Sequence, residues 1–195
     1  SSDLAVKKEL FKERHLDTPM SESIIYEVHI KLFTQNSNSL VKFPGKYKGF
    51  MEKIPYLKEL GITAVEFLPV YEWDEYTGRY DSHNKVLENV WGYNPISFFA
   101  PTKKFSSKKN LDSFDEVVEL KELIKELHKN GIEVILDVVY NHTAEGGNGG
   151  HLYNFKAMNK SGFYILEKDG ENYTNYSGCG NTFNCNTVMS KDRSE

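Results

Sequence analysis

Ile132-Glu133-Val134-Ile135-Leu136-Asp137-Val138-Val139-Tyr140-Asn141-His142 is an apolar, β-branched run that finishes in three hydrogen-bonding side chains. It reads as a buried strand over Ile132 to Tyr140 with Asp, Asn and His gathered at its carboxyl-terminal mouth. Strand mouths of this kind are where α/β barrels keep their chemistry. Upstream, Gly131 ends the strongest amphipathic pattern in the chain. Phe114, Val117, Val118, Leu120, Leu123, Ile124 and Leu127 form the apolar stripe of a helix over Phe114 to Lys129, with Ser113 and Glu116 as its capping box.

Two more strands lie before that helix. Ile62 to Val70 is a continuous apolar run, and Ile24 to Phe33 alternates apolar and polar side chains. Gly49 to Leu60 between them reads as helix, with Pro55 starting a second turn and Gly61 closing it. The order β-α-β-α-β with near-continuous apolar strands predicts a parallel sheet covered on both faces. Loops after strands are long: Tyr71 to Leu111 separates the second strand from its helix, and everything after Tyr140 is rich in Gly, Asn and Tyr. Long loops confined to the carboxyl ends of strands are how barrels build active sites. The expected organisation is a polar lead-in over 1–23, three β/α units over 24–140, and an excursion over 141–195.

Composition narrows the function classes. A 195-residue chain with 39% apolar and 27% charged residues is that of a globular protein with a real core. Lysine and arginine number 24 against 28 acidic residues, a net charge of −4 with the signs interspersed, which argues against a nucleic-acid partner. No apolar stretch approaches the ~20 residues that span a bilayer. The first residues carry neither a signal-peptide core nor an initiator Met, so the expected N-terminus is trimmed or lies inside a longer protein. Cys179 and Cys185 lack a metal-type partner pair, which points to free thiols in a reducing compartment.

Individual residues admit two readings each. Asp137 is either a buried carboxylate tied to a neighbouring Arg or amide, or a site carboxylate that orients other groups. His142 is either a surface histidine or a donor to a substrate hydroxyl. Glu27, His29 and Glu66 read as a buried polar network between strands one and two. Trp91-Gly92-Tyr93 offers ring faces for stacking, with a glycine that lets a ligand approach the backbone, or Trp91 simply anchors its loop.

Taken together the motifs resemble the α-amylase family of glycoside hydrolases, and within it the isoamylase-type debranching enzymes. The likeness covers Ile25 to about Asn186. IIYEVHIKLFT resembles the first barrel strand, with Lys31-Leu32 where Arg-Gly is more usual. PGKYKGFMEKIPYLKELGITAVEFLPVYEWDE resembles the first helix and second strand. NVWGYNPISFFAP resembles the loop whose tyrosine lines the glucose subsite, VILDVVYNHT the first signature region, and SGCGNTFNCN a loop of the debranching branch.

The resemblance implies a partial TIM (β/α)8 barrel, strands 1–3, with long loops after strands 2 and 3. Asp137 would brace the catalytic centre, His142 would hydrogen-bond the glucose, and Tyr93 would stack beneath it. Asn141 ligates a structural calcium in several members; no other cofactor is implied. The substrate would be an α-glucan such as glycogen, starch or a branched dextrin, cut at α-1,6 branches with retention, in the cytoplasm or in a plastid if the source is a plant or alga. Retaining cleavage needs two carboxylates ~5–5.5 Å apart. The family carries them at strands four and five, so both the nucleophile and the acid are expected beyond Glu195, and these residues alone are expected to be inactive. The alternatives are a non-catalytic glucan-binding homologue and a branching enzyme or pullulanase of the same family.

Overall fold

The computed structural model describes residues 16–75, 83, 85, 87–108 and 114–187. Leu4, Val6, Leu10 and Phe11 of the lead-in, Ser113 of the capping box, and Asp192 lie outside the described residues. The chain divides into two compact units, residues 1–70 with 101–137, and residues 71–100 with 138–195.

The first unit is a three-stranded parallel sheet in the order β1-β2-β3, formed by β1 (Ile25–Val28), β2 (Ala64–Phe67) and β3 (Glu133–Leu136). Ile25, Ala64 and Glu133 stand in one row, and Val28, Phe67 and Leu136 in the row at the other end. Parallel pairing of consecutive strands requires a crossover between each pair. Those crossovers are α1 (Ile30–Gln35), α2 (Tyr47–Met51) and α3 (Ile54–Glu59) between β1 and β2, and α4 (Asp115–Lys129) between β2 and β3. This is a partial (β/α)8 barrel.

The core lies where helices cover the sheet. Phe50, Leu57, Val65, Phe67, Leu123 and Leu127 have no exposed surface, and the Phe50 ring meets Phe67 edge-on at 5.0 Å. Gly61 and Gly131 each follow a helix with φ +76°, the left-handed turn that glycine adopts without penalty. Pro55 occupies the first turn of α3, as its fixed φ favours. The central strand is buried on both faces, whereas β1 and β3 each have one paired edge among the described residues, and Ile25, Ile135 and Leu136 stay exposed.

Several expectations need correction. The first strand stops at Val28, because His29 turns the chain: its Nδ1 accepts the N–H groups of Lys31 and Leu32 at 3.0 and 3.2 Å and caps α1. Glu27, expected in a buried network with His29 and Glu66, is exposed opposite Glu66 in the register, while the buried His29 ring packs edge-on against Phe105. Phe114 is 71% exposed and stands outside the helix as its N-cap residue, not in its buried stripe. The third strand ends at Leu136, so Asp137 begins the segment beyond it, its N–H donated to the Phe67 carbonyl at 2.9 Å.

The second unit contains α5 (Phe155–Phe163), kinked at Asn159, and antiparallel bridges Trp73–Pro95, Tyr164–Phe183 and Leu166–Tyr173. Phe155, Phe163, Tyr164 and Tyr173 form its core, with Phe98, Leu166 and Phe183 packed against them.

Candidate functional site

His142 organises the second unit's site. Its ring is 6% exposed and held at both nitrogens, Nε2 to the backbone carbonyl of Tyr93 at 3.1 Å and Nδ1 to the Asn141 carboxamide at 2.8 Å. Burial pushes the imidazole pKa below its ordinary value, with the Tyr93 carbonyl opposing. A neutral ring has one N–H, and the Tyr93 carbonyl can only accept, so Nε2 carries the proton. Nδ1 then accepts, which requires the Asn141 carboxamide, whose oxygen faces it at 2.8 Å, to turn its amino group inward.

The bond from His142 fixes Tyr93 from behind. Tyr93 follows Gly92, whose φ of +83° sets the bend, and the residue as a whole remains 40% exposed. Residues 93–96 are stitched into the unit along their length: the Ala144 N–H donates to the Pro95 carbonyl at 2.8 Å, the Ile96 N–H to Glu72 at 2.9 Å, and Asn154 Nδ2 to the Ile96 carbonyl at 2.6 Å. The result is a rigid backbone carrying an exposed aromatic face over a buried, uncharged histidine.

Just past His142 the chain is clamped twice. Asn181, fully buried, accepts the Thr143 N–H at 3.1 Å and donates to the carbonyls of Thr143 at 3.0 Å and Gly146 at 3.1 Å. The Phe183 N–H donates to the Asn141 carbonyl at 2.9 Å. The Ser177–Asn186 loop thus serves the Asn141–Thr143 segment directly. Glu145, 1% exposed, accepts the N–H groups of Tyr153, Asn154 and Lys156 at 2.8, 2.9 and 2.8 Å, together with the Tyr164 hydroxyl. Burial and that bond to Glu145 push the Tyr164 pKa well up, so its hydroxyl remains a donor.

Of the residues expected at the site, Tyr93, Asn141 and His142 come together in the second unit. Asp137 belongs to the first unit, half-buried one residue beyond β3. Trp91 is exposed, its N–H held by Asn89 Oδ1 at 3.2 Å. Cys179 and Cys185 are free thiols, both exposed. The Asn141 carboxamide oxygen lies 2.8 Å from His142 Nδ1, and among the described residues no group of three or more His, Cys, Asp or Glu side chains converges. Glu145, Asn181 and Tyr153 were not singled out from sequence. Only Glu145, a carboxylate between a signature strand and a glycine run, left a signal there.

A family model described as the alpha amylase catalytic domain matches residues 11–187. The chain belongs to the alpha-amylase family. Within that family it is 45% identical over 179 residues to isoamylase 1, chloroplastic, of Arabidopsis thaliana, covering 89% of this chain and 22% of that protein. It is 39% identical over 178 residues to the glycogen operon protein GlgX homolog of Mycobacterium tuberculosis, covering 88% and 24%. Among solved structures, an Anoxybacillus pullulanase complexed with maltotetraose superposes with a TM-score of 0.76 at 29% identity, covering 92% of this chain and 26% of that one. The chain spans about a quarter or less of the length of these relatives. Among the described residues no helix is long and apolar enough to cross a membrane.

Proposed function

We propose that this chain is part of a glycoside hydrolase that cleaves α-1,6 branch linkages of glycogen, starch or branched dextrins with retention of configuration, and that it supplies supporting residues of the glucose subsite. The observation that carries the reading is the His142–Tyr93 clamp: an exposed tyrosine on a backbone held by a buried imidazole. The names of the relatives agree with it: isoamylase, a glycogen operon protein, and a pullulanase solved with maltotetraose.

In this reading Tyr93 takes the apolar face of a glucose ring, whose hydroxyl rim stays in contact with polar groups and water. His142 reaches a sugar hydroxyl by sharing the Nε2 proton that Tyr93's carbonyl otherwise receives. Asp137 braces the centre through its charge and is neither nucleophile nor acid. Double displacement requires a carboxylate nucleophile and a carboxylic acid about 5–5.5 Å apart, and we assign neither role to a residue of this chain. The compartment we propose is a reducing one, cytoplasm or plastid, in keeping with the two free thiols and the chloroplastic relative.

The test is the intact protein that carries this segment, assayed on glycogen and amylopectin for release of linear chains, with pullulan as the comparison. Debranching by the wild type, with kcat reduced at least ~100-fold in Asp137→Asn, is the expected result. Binding to glycogen with no new reducing ends would instead make it a non-catalytic glucan-binding homologue.

A further inference from the structure

Tyrosines that bury part of themselves ordinarily place the ring inside and leave the hydroxyl at the wet end. Tyr153 does the reverse. Its hydroxyl donates to Asp74 Oδ2 at 3.1 Å, Asp74 being buried, while the residue as a whole is 39% exposed. Its backbone is pinned as well, the N–H donated to Glu145 at 2.8 Å. Beside it stands the exposed ring of His151, 5.5 Å away and tilted by 35°. An exposed aromatic fixed at both ends loses little side-chain entropy when something flat and partly apolar settles on it.

The same lattice of bonds connects this ring to the site above. Asp74, which receives the Tyr153 hydroxyl, donates its own N–H to the carbonyl of Asn94 at 3.0 Å, and Asn94 is the residue after Tyr93. Asn154, the residue after Tyr153, holds the Ile96 carbonyl at 2.6 Å. Tyr93 and Tyr153 are therefore two exposed aromatic residues from two different loops, both tied to the backbone of residues 93–96, Tyr153 through Asp74 and Asn154. A single platform suits one ring of a ligand; two on a common rigid mount suit a chain of rings.

We propose that Tyr153 is a second sugar-stacking platform, which receives another glucose unit of an α-glucan whose first unit lies on Tyr93. The inference rests on the glucan reading given above. The occupant follows from shape and polarity: a pyranose offers a flat C–H face to the ring and hydroxyls to its rim, and the exposed His151 imidazole beside Tyr153 supplies a hydrogen-bonding edge there. The inward hydroxyl is a positioning device. It orients the ring through Asp74 and does not itself touch the sugar.

Calorimetry on the intact protein with glucose, maltose, maltotriose and maltohexaose tests this. Wild type should bind more tightly as the chain lengthens. Tyr153→Ala should weaken maltohexaose about tenfold and flatten the gain with length, while Tyr153→Trp, which keeps a stacking face, stays within about threefold of wild type. Tyr153→Phe keeps the ring and loses only the tie to Asp74, so it should fall between them; it also guards against a folding defect in the alanine variant. Unchanged maltohexaose affinity in Tyr153→Ala, alongside weakened affinity in Tyr93→Ala, would overturn the second platform and leave the first subsite standing. Equal losses in Tyr153→Phe and Tyr153→Ala would overturn stacking in favour of a purely structural hydroxyl. A wild type that binds no malto-oligosaccharide would overturn the glucan reading itself, and this proposal with it.

Discussion

Glu145 and Lys156 hold each other's segments in opposite directions. Glu145 Oε2 accepts the Lys156 backbone N–H at 2.8 Å, and the Lys156 ammonium returns to the loop after Glu145, donating to the carbonyls of Gly147 at 2.8 Å and Gly150 at 3.0 Å. The carboxylate closes the first turn of α5 and the ammonium closes the glycine loop, so neither segment is positioned without the other.

Removing the carboxylate should be the more damaging change. Glu145→Ala leaves three N–H groups and the Tyr164 hydroxyl without their acceptor in a site closed to water, and a loss of about 3 kcal/mol or more is expected. Glu145→Gln keeps the shape and one carbonyl oxygen, and should lose about 1–2 kcal/mol. Urea denaturation of the intact protein, followed by a probe within residues 138–187, ranks the two; equal stability of Glu145→Ala and wild type would refute the role.

Lys156→Met keeps the apolar stem and removes only the ammonium. Burial of the ammonium lowers the Lys156 pKa while the Glu145 charge opposes the shift, and Lys160 close by lowers it further. Both ammonium groups also lie over the Tyr173 ring, at 5.6 and 4.6 Å from its centroid. The expected outcome is local: amide hydrogen exchange over residues 146–150 accelerates by about tenfold, with exchange in β2 unchanged. Uniform acceleration throughout the chain would contradict a local clamp.

Gly150 shows how tightly this loop is drawn. A Cβ there would lie 2.0 Å from the Glu145 carbonyl oxygen and 2.8 Å from its carbon, both backbone atoms that cannot rotate away. Gly150→Ala should therefore cost at least ~3 kcal/mol locally. Gly149→Ala next to it meets nothing within 4 Å and should be close to neutral. Paired melting curves for the two variants give the comparison, and similar curves would mean that the loop rearranges at little cost.

The contrast between these two neighbours marks what the sequence could and could not convey. Val65 and Phe67 announce a buried strand by composition and Gly131 announces a helix end, because each signal lies within a few residues of its consequence. Ile30-Lys31-Leu32-Phe33 alternates as a strand does, yet Ile30, Phe33 and Thr34 also share a helical face. Only the His29 cap, and the Gly45 N–H received by Thr34 Oγ1 at 2.9 Å, decide for the helix. Glu145 and Tyr153 escaped notice for the related reason that their partners are 8 to 79 residues away inside irregular loops, where no periodicity exists to read.

His142 makes stability depend on pH in a definite sense. Burial favours its neutral form, so its pKa in the folded chain lies below the ordinary 6.5 that it regains on unfolding. Between those two values the unfolded chain holds more protons than the folded one, and stability rises with pH. The contribution is therefore complete above about pH 6.5 and is lost as the pH falls from there through the lower folded value. Protonation also turns Nδ1 into a donor, which the facing Asn141 carboxamide oxygen accepts at 2.8 Å. His142→Gln, which cannot titrate, should flatten the slope of stability between pH 5 and 7 relative to wild type. Denaturation midpoints across that range provide the measurement. A wild-type midpoint that rises on acidification would mean that the folded imidazole prefers its charge, and the neutral Nε2–H bond to Tyr93 would have to be abandoned.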